Sequence, residues 1–357
     1  MVEIAPGAVV NLYLLGALGL GIGLIAGFAG VSGGYLLTPM LIVLGFPAPT
    51  AVGTALALMT ANNLIGLLRH RELGHLDAKM GLIMAAGSVT GVEFGVHLLN
   101  QAKQVGPAFA DNAVLAATMV TLAAVGASMV LELWRSSRRL LSEIDVAAQD
   151  IEVRTVACRF LQSLCVFPHI RFTKSKLRIS GWIVFLLGAI IGVLSGFLGS
   201  GGAFMASPAL IYLVGQPSLM AVGTNLMGSF VGVCFSCFRH AMLGHVQLGI
   251  ALVMLLGTAV GTYIGASGTS LVKGLAIRYV LAASVVAALL GPAVKLAWFL
   301  TGARIIWLDN AARAAAIGQV FLPVVVVVLL LTMAYRHARG KPVPSWAERL
   351  MVTPRAA

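Results

Sequence analysis

The sequence predicts an all-α polytopic membrane protein made of two internal repeats, inverted relative to each other, with glycine-broken helices. Three observations carry that prediction. Hydrophobic residues make up 59% of the chain and charged residues 10%, where soluble domains carry roughly 25% charged residues. Nine to eleven hydrophobic segments alternate with polar loops, and an apolar run of about 20 residues is long enough to cross the hydrocarbon. A glycine-rich break interrupts the apolar pattern twice, at matching places in the two halves. Such paired breaks point to the binding site of a transporter.

Residues 1–7 lack the basic segment of a signal peptide, so Leu12 to Phe28 reads as a first span, within an apolar run from about Val9 to Ala29 that is long enough to cross. It enters the first break, Gly27-Phe28-Ala29-Gly30-Val31-Ser32-Gly33-Gly34-Tyr35-Leu36-Leu37-Thr38-Pro39. Tyr35 to Phe46 is too short to cross alone and is stopped by Pro47 and Pro49. Ala51-Val52-Gly53-Thr54 opens a helix running to Leu68, and the polar loop Arg69 to Lys79 follows. Further spans run from about Met80 to Leu99 and from Ala113 to Leu133.

The stretch from Ser136 to Ser180 carries Arg138, Arg139, Arg154, Arg159, Arg171, Lys174, Lys176 and Arg178. Basic loops stay on the cytoplasmic side. Within it, Ile151 to Val166 has helix-like apolar spacing suited to the membrane surface. Trp182 to Phe197 then enters the second break, Gly196-Phe197-Leu198-Gly199-Ser200-Gly201-Gly202-Ala203-Phe204-Met205-Ala206-Ser207-Pro208. Phe204 to Val214 is the second short segment, and Ala221-Val222-Gly223-Thr224-Asn225 opens the next helix. Spans follow at about Val246 to Ala266, Tyr279 to Leu300 and Ala311 to Ala334. The chain thus divides into a first transmembrane repeat (1–135), a basic cytoplasmic linker (136–180), a second repeat (181–304), an additional span (305–335) and a cytoplasmic tail (336–357).

At an offset of 170 residues, Ala51-Val52-Gly53-Thr54 aligns with Ala221-Val222-Gly223-Thr224, and Arg69-His70 with Arg239-His240. Leu73-Gly74-His75 aligns with Leu243-Gly244-His245, and Gly87, Gly91 and Gly95 with Gly257, Gly261 and Gly265. Around the breaks the offset is 169. Chance likeness between apolar helices does not reproduce a shared Arg-His-x-x-Leu-Gly-His, so the halves are read as a duplication. Five passes per repeat would leave the copies facing opposite ways, with linker and tail both cytoplasmic. A re-entrant short segment would change that parity.

The net charge of +12 falls mostly between and beyond the apolar segments, which suits membrane topology and anionic lipid rather than nucleic acid. Cys158 and Cys165 lie in the linker, and Cys234 and Cys237 form a CxxC inside an apolar helix without further ligands, which reads as packing. The spans lack a His/Cys/Asp cluster at metal-ligand spacing, and the Walker phosphate loop is absent, so neither metal nor nucleotide nor other cofactor is implied. Gly30-Val31-Ser32-Gly33-Gly34 fits G-x-S-x-G, but the hydrolase elbow needs a preceding strand. An intramembrane protease has a single active site, whereas this break occurs twice.

The paired breaks, Pro39 and Pro208, and the two Ala-Val-Gly-Thr helix starts resemble the TauE/SafE sulfite exporter family, within the toluenesulfonate uptake permease superfamily. The resemblance covers both halves except the linker. It implies a multi-pass protein of the cell membrane, in bacteria the inner membrane. It also implies transport of sulfite, sulfonates or related small organosulfur anions.

Ser32, Gly33 and Gly34, with Ser200, Gly201 and Gly202, offer backbone N–H and hydroxyl donors to an oxyanion; close helix packing by small residues is the alternative. Thr54, Thr224 and Asn225 stand at helix starts, where they either contact substrate or cap. Asn62 and Asn63 lie mid-span and need polar partners, from a cavity or another helix. Arg69 and Arg239 suit an oxyanion by their planar forks, or anchor the helices at the interface. Glu93 lies inside a span and, with His75 and His245, is a proton-coupling candidate. A hydrogen bond that holds the fold would equally explain Glu93. The expectation is a secondary transporter for a small sulfur-containing anion, working by alternating access in the lipid bilayer. A channel or carrier for another small anion is the alternative reading, and a homo-oligomer is compatible with the sequence.

Overall fold

The computed structural model describes residues 2–5, 8–10, 12–31, 33–140, 158, 167–300, 306–339, 341–348 and 350–351. A short hairpin, β1 (Val2–Ala5) and β2 (Ala8–Val10), precedes α1 (Leu12–Ala29), α2 (Gly34–Val43), α3 (Ala48–Glu72), α4 (Ala78–Val105) and α5 (Pro107–Leu140). A second hairpin, β3 (His169–Phe172) and β4 (Leu177–Ser180), leads into α6 (Gly181–Leu198). Then come α7 (Ala203–Ala209), continued by a wider π turn over Leu210–Val214, and α8 (Ser218–Met242), α9 (Leu248–Gly268) and α10 (Gly274–Ala287). The chain ends with α11 (Leu290–Leu300), α12 (Ile306–Ala338) and α13 (Ser345–Glu348). Among the described residues, eight helices are long and apolar enough to cross a membrane, and three shorter apolar helices cover 13–29, 34–43 and 203–214.

Three expectations change. The apolar run from about Val9 is not helical throughout: Val9 belongs to the first hairpin, and α1 begins at Leu12, where the first span is read. The run from Tyr279 to Leu300 is two helices with a turn at Ala288 and Leu289. Pro292 explains it, because a proline ring clashes with the carbonyl four residues earlier, here Ala288, and offers it no N–H. The end of the linker, 169–180, is a β-hairpin. The surface helix expected over 151–166 falls almost wholly outside the described residues.

Helix directions follow from contacts. Gly19, Gly23 and Gly27 of α1 lie on Met254, Thr258 and Thr262 of α9, so the two run parallel. Thr54, Gly66 and Arg69 of α3 meet Gln247, Thr262 and Ser267, so α3 is parallel to α9 as well. With α1 and α3 running the same way, the chain reverses between them, through the first break and α2. The second half does the same. Gly188, Gly192 and Gly196 of α6 lie on Met84, Ser88 and Val92 of α4. Gly228 and Gly232 of α8 also lie on Met84 and Ser88, so α6 and α8 run together.

Side by side at the centre, α3 and α8 are antiparallel. Gly53 packs on the His245 carbonyl at one end and Gly223 on the His75 carbonyl at the other, with Asn63 donating to Ser229 between them at 3.2 Å. Each of α1, α3 and α4 therefore runs opposite to its aligned counterpart, α6, α8 and α9.

Apolar side chains such as Leu82, Leu186, Leu252 and Leu256 cover the outside, as expected of a surface solvated by lipid. α12 packs on α1, α2, α10 and α11. Its buried Gln319 donates to the Leu36 carbonyl of α2 at 3.1 Å, so the additional span braces the first short helix.

The second hairpin is pinned by its tip. Asp77 Oδ2 accepts from the Ser175 hydroxyl at 2.7 Å and the Ser175 N–H at 3.2 Å, while Oδ1 caps α4 through Met80 N–H at 3.3 Å. Gln216 donates to Ser175 and Thr224, both at 2.9 Å. Phe172 and Ile179 of the hairpin are buried against Met80, Met84 and Val184. Asp77→Ala removes three hydrogen bonds to one buried carboxylate, and is expected to cost about 3 kcal/mol. It should also free the exposed Lys174 and Lys176 for trypsin. An unchanged melting temperature together with unchanged trypsin resistance would count against this anchoring.

Candidate functional site

The two glycine breaks meet at the centre of the molecule. Thr38 of α2 donates to the Gly199 carbonyl at 3.0 Å, and Ser207 of α7 donates to the Gly30 carbonyl at 3.2 Å. The two bonds are counterparts at the offset of 169 residues. Asn225 ties the same elements together. Its amide nitrogen lies 2.9 Å from the Gly30 carbonyl, 2.8 Å from the Ala203 carbonyl and 2.8 Å from the Ser207 hydroxyl. Every described residue of both breaks is buried except Phe197 and Met205, which are partly buried. Non-helical backbone at membrane depth is tolerated where it is buried in protein or lines a wet cavity.

Glycine is required at the corners. Gly30 and Gly199 hold φ of 64° and 62°. A Cβ on Gly30 would fall inside contact distance of Val222, and one on Gly199 inside that of Val52. The left-handed backbone and the close neighbour each exclude a side chain. Gly33 and Gly202 precede α2 and α7, also with positive φ, and neither helix start is capped by a side chain. The first N–H groups of α2 are thus left toward the break, an arrangement that favours anions.

The predicted site residues do not all come together. Ser32 lies outside the described residues. Gly33, Gly34, Ser200, Gly201, Gly202 and Asn225 are together at the breaks, and the Ser200 hydroxyl is buried without a hydrogen-bond partner. Asn62 is 1% exposed, and neither its Nδ2 nor its Oδ1 has a partner among the described residues.

Thr54 and Thr224 take a role across the halves. Each accepts, at 3.1 Å, the N–H of the residue before a helix of the opposite half, Gln247 before α9 for Thr54 and Asp77 before α4 for Thr224.

The charged candidates lie away from the breaks. Arg239 grips Glu93 with two bonds of 2.6 and 2.9 Å at an exposed position. Arg69 pairs with Glu72 at 2.7 Å, donates to Ser267 at 3.0 Å and lies over the Tyr263 ring. Tyr263 lies 170 residues after Glu93, so each arginine meets the corresponding position of the opposite half. His75 and His245 stand at opposite ends of the α3–α8 pair, each beside a fully buried histidine, His70 and His240. Burial, and after it the Lys103 ammonium, hold His245 well below the ordinary histidine range, at about 4. Among the described residues no group of three metal-ligating side chains is assembled.

Thr38 and Ser207 were not singled out from the sequence. Their signal was present, a hydroxyl directly before the proline in each copy, Thr38-Pro39 and Ser207-Pro208. Asp77, Ser175 and Gln216 had no such signal, since their contacts join three distant parts of the chain.

An all-α bundle of membrane-crossing length, with two buried glycine breaks packed against each other, defines a polytopic membrane protein of the transporter class. The chain belongs to the TauE/SafE sulfite exporter family, whose model matches residues 15–291. It is similar to the Bacillus subtilis protein named "Probable membrane transporter protein YjnA", 27% identical over 70% of this chain and 86% of that one. It is similar also to YdhB of Bacillus subtilis, given the same description, 22% identical over 72% of this chain and 90% of that one. A protein of that description from Xylella fastidiosa strain 9a5c is 24% identical over 68% of this chain and 79% of its own length. No solved structure matches.

Proposed function

We propose that this membrane transporter is a secondary carrier for a small sulfur-containing anion, such as sulfite or an organosulfonate, and that it works by alternating access as a pair of inverted repeats. The reciprocal contact of the two glycine breaks carries the reading. Two equivalent, oppositely running units joined at one buried point can exchange conformations around it. The antiparallel course of α3 and α8 supports the inverted relation. The uncapped start of α2, the unpartnered Ser200 hydroxyl and the unpartnered Asn62 amide supply neutral donors for an oxyanion. No buried charge has to be neutralised there, which suits an anion bound and released on each cycle. The family's name supplies the sulfur chemistry. The basic linker and tail favour the cytoplasmic side.

Flux into proteoliposomes tests the proposal, across sulfite, small sulfonates, sulfate and small carboxylates, with and without a pH gradient. Saturable flux of sulfite or a sulfonate that exceeds carboxylate flux at least about tenfold, and that follows the gradient, is the expected result. A difference of that size corresponds to about 1.4 kcal/mol of discrimination. Flux of carboxylates alone would overturn the substrate class, and flux of no anion would overturn the carrier.

A further inference from the structure

We infer that the two histidine pairs at the ends of α3 and α8, His70 with His75 and His240 with His245, are the proton-binding sites that couple transport, one pair for each side of the membrane. The inference rests on the carrier proposed above and assigns its coupling groups.

The second pair forms a wire of defined direction. Lys103 Nζ lies 3.1 Å from His245 Nε2, His245 Nδ1 lies 3.2 Å from His240 Nδ1, and His240 Nε2 lies 3.0 Å from the Gly196 carbonyl. The two ends assign every proton between them. An ammonium only donates and a carbonyl only accepts. His240 therefore carries its hydrogen on Nε2 and leaves Nδ1 bare, while His245 carries its hydrogen on Nδ1 and accepts at Nε2. Both rings are neutral, and all donors point from Lys103 toward Gly196.

An arriving proton has one point of entry, His245 Nε2, once Lys103 moves off it. The N–H bond at His245 Nδ1 then breaks and a new one forms at His240 Nδ1. His245 ends neutral with its hydrogen on Nε2. His240 ends protonated on both nitrogens, with the whole added charge. That charge stands beside Gly196, three residues before the corner glycine Gly199, at the C-terminal end of α6. A helix C-terminus favours a cation, and an anion at the breaks would be drawn to it.

The first half repeats the terminal contact. His70 Nε2 lies 3.2 Å from the Gly27 carbonyl, three residues before Gly30, and the His75 ring lies 5.7 Å from that of His70. His70 is 0% exposed, and its Nδ1 has no hydrogen-bond partner among the described residues. The position that receives the proton in His240 is thus open in His70.

The pairs lie at opposite ends of the antiparallel helices. From Gly53, at the His245 end of α3, to His70 is a rise of about 26 Å, close to the roughly 30 Å of a hydrocarbon core. Charged neighbours are few. Lys103 and Glu93 face the second pair from α4 and Arg239 from its own helix, the latter already neutralised by Glu93. Arg69, Arg71, Glu72 and the loop residue Asp77 flank the first pair, with Tyr263 from α9. α6 contains no titratable residue, and α1 contains only Tyr13, at its far end.

The low value held by His245 sets the sign. The arrangement described here is the proton-free one. A conformation that exposes His245 returns it toward about 6.5, so that conformation binds more protons and gains as pH falls from about 6.5 toward 4.

The test uses sulfite as probe in oriented proteoliposomes, with pH varied on each side independently. His240→Gln, which keeps a donor for Gly196, is expected to lose about tenfold of the pH response on one side only. His70→Gln should lose it on the other side. Sulfite exchange at equal pH, which needs no net proton, should persist at a reduced rate. His97→Gln, an exposed histidine on α4 bonded to Gln101, serves as control and should keep both responses.

Ring nitrogen-15 NMR reads the wire without transport. At pH 7, His240 should be protonated at Nε2 and His245 at Nδ1. Reversed tautomers, wild-type pH responses in both variants, or loss on the same side in both would overturn the inference. Absence of all sulfite flux in the unaltered protein would sink the carrier itself and the coupling role with it. Sulfite exchange with an intact pH response in both variants would sink the coupling role alone.

Discussion

Gly91→Val and Gly192→Val are expected to abolish accumulation of folded protein, because each places a side chain where a neighbouring backbone already lies. A Cβ on Gly91 would come within 3.0 Å of the Ala189 carbonyl and the Val193 nitrogen, and one on Gly192 within 3.0 Å of the Ser88 backbone. The seam is built from both sides, since Gly87, Gly91 and Gly95 lie on α6 backbone and Gly188, Gly192 and Gly196 on α4 backbone. Small residues let two backbones approach in this way. Overpacking costs about 1–3 kcal/mol where side chains can move aside. Backbone cannot move aside, so at least about 3 kcal/mol is expected, a large part of a typical stability of about 5–15 kcal/mol.

The matching seam of α1 and α9 predicts the same for Gly23→Val and Gly261→Val. Gly318 has nothing within 4 Å of its Cβ position, so Gly318→Ala should be neutral or stabilising by about 1 kcal/mol. Size-exclusion profiles and melting temperatures of detergent-solubilised protein decide the matter. Wild-type profiles for the seam variants would refute the packing.

Asn225→Asp is expected to be the most damaging single-atom change at the breaks. The amide nitrogen donates toward two carbonyls and one hydroxyl within 2.9 Å. A carboxylate keeps the shape and loses the donors, so it faces the Gly30 and Ala203 carbonyls with like partial charge. The Gly30 carbonyl keeps the Ser207 hydroxyl, but removing the donors of one buried amide costs about 1–3 kcal/mol for each bond lost, so about 4 kcal/mol and loss of sulfite flux are expected. Asn63→Ala removes one interhelical hydrogen bond, to Ser229, and should cost only about 1 kcal/mol. The contrast is the informative part. If Asn225→Asp and Asn63→Ala melted at the same temperature and carried the same flux, Asn225 would not be the clasp between the halves.

Much of this architecture was legible in the residues, and the limits are instructive. The glycine ladders showed a small face on each of α4 and α9, since spacing of four residues is a property of one helix. They did not show whose backbone lies on that face. The structure pairs α4 with α6 and α9 with α1, a choice that depends on matching two faces. Glu93 attracted notice as a carboxylate inside a span. Its position on the outside of α4, and its bond to Arg239, depend on the neighbouring helix. The histidines were visible as aligned pairs, but the order of donors from Lys103 to Gly196 needs three chain segments in place. The hairpin at 169–180 was hidden by charge, because basic residues on its exposed positions read as a solvated loop.

The sequence by itself determined that the chain crosses a membrane, that its halves share a pattern and that each half breaks at a glycine cluster. Hydropathy, periodicity and the conformational freedom of glycine are local, so they can be read from neighbours along the chain. Tertiary structure alone decided that the breaks touch, that Asn225, Thr38 and Ser207 join them, and that α3 lies antiparallel to α8. Those facts are contacts between groups in different halves of the chain. Such contacts form only when complementary faces are brought together, and a linear pattern does not specify its partner.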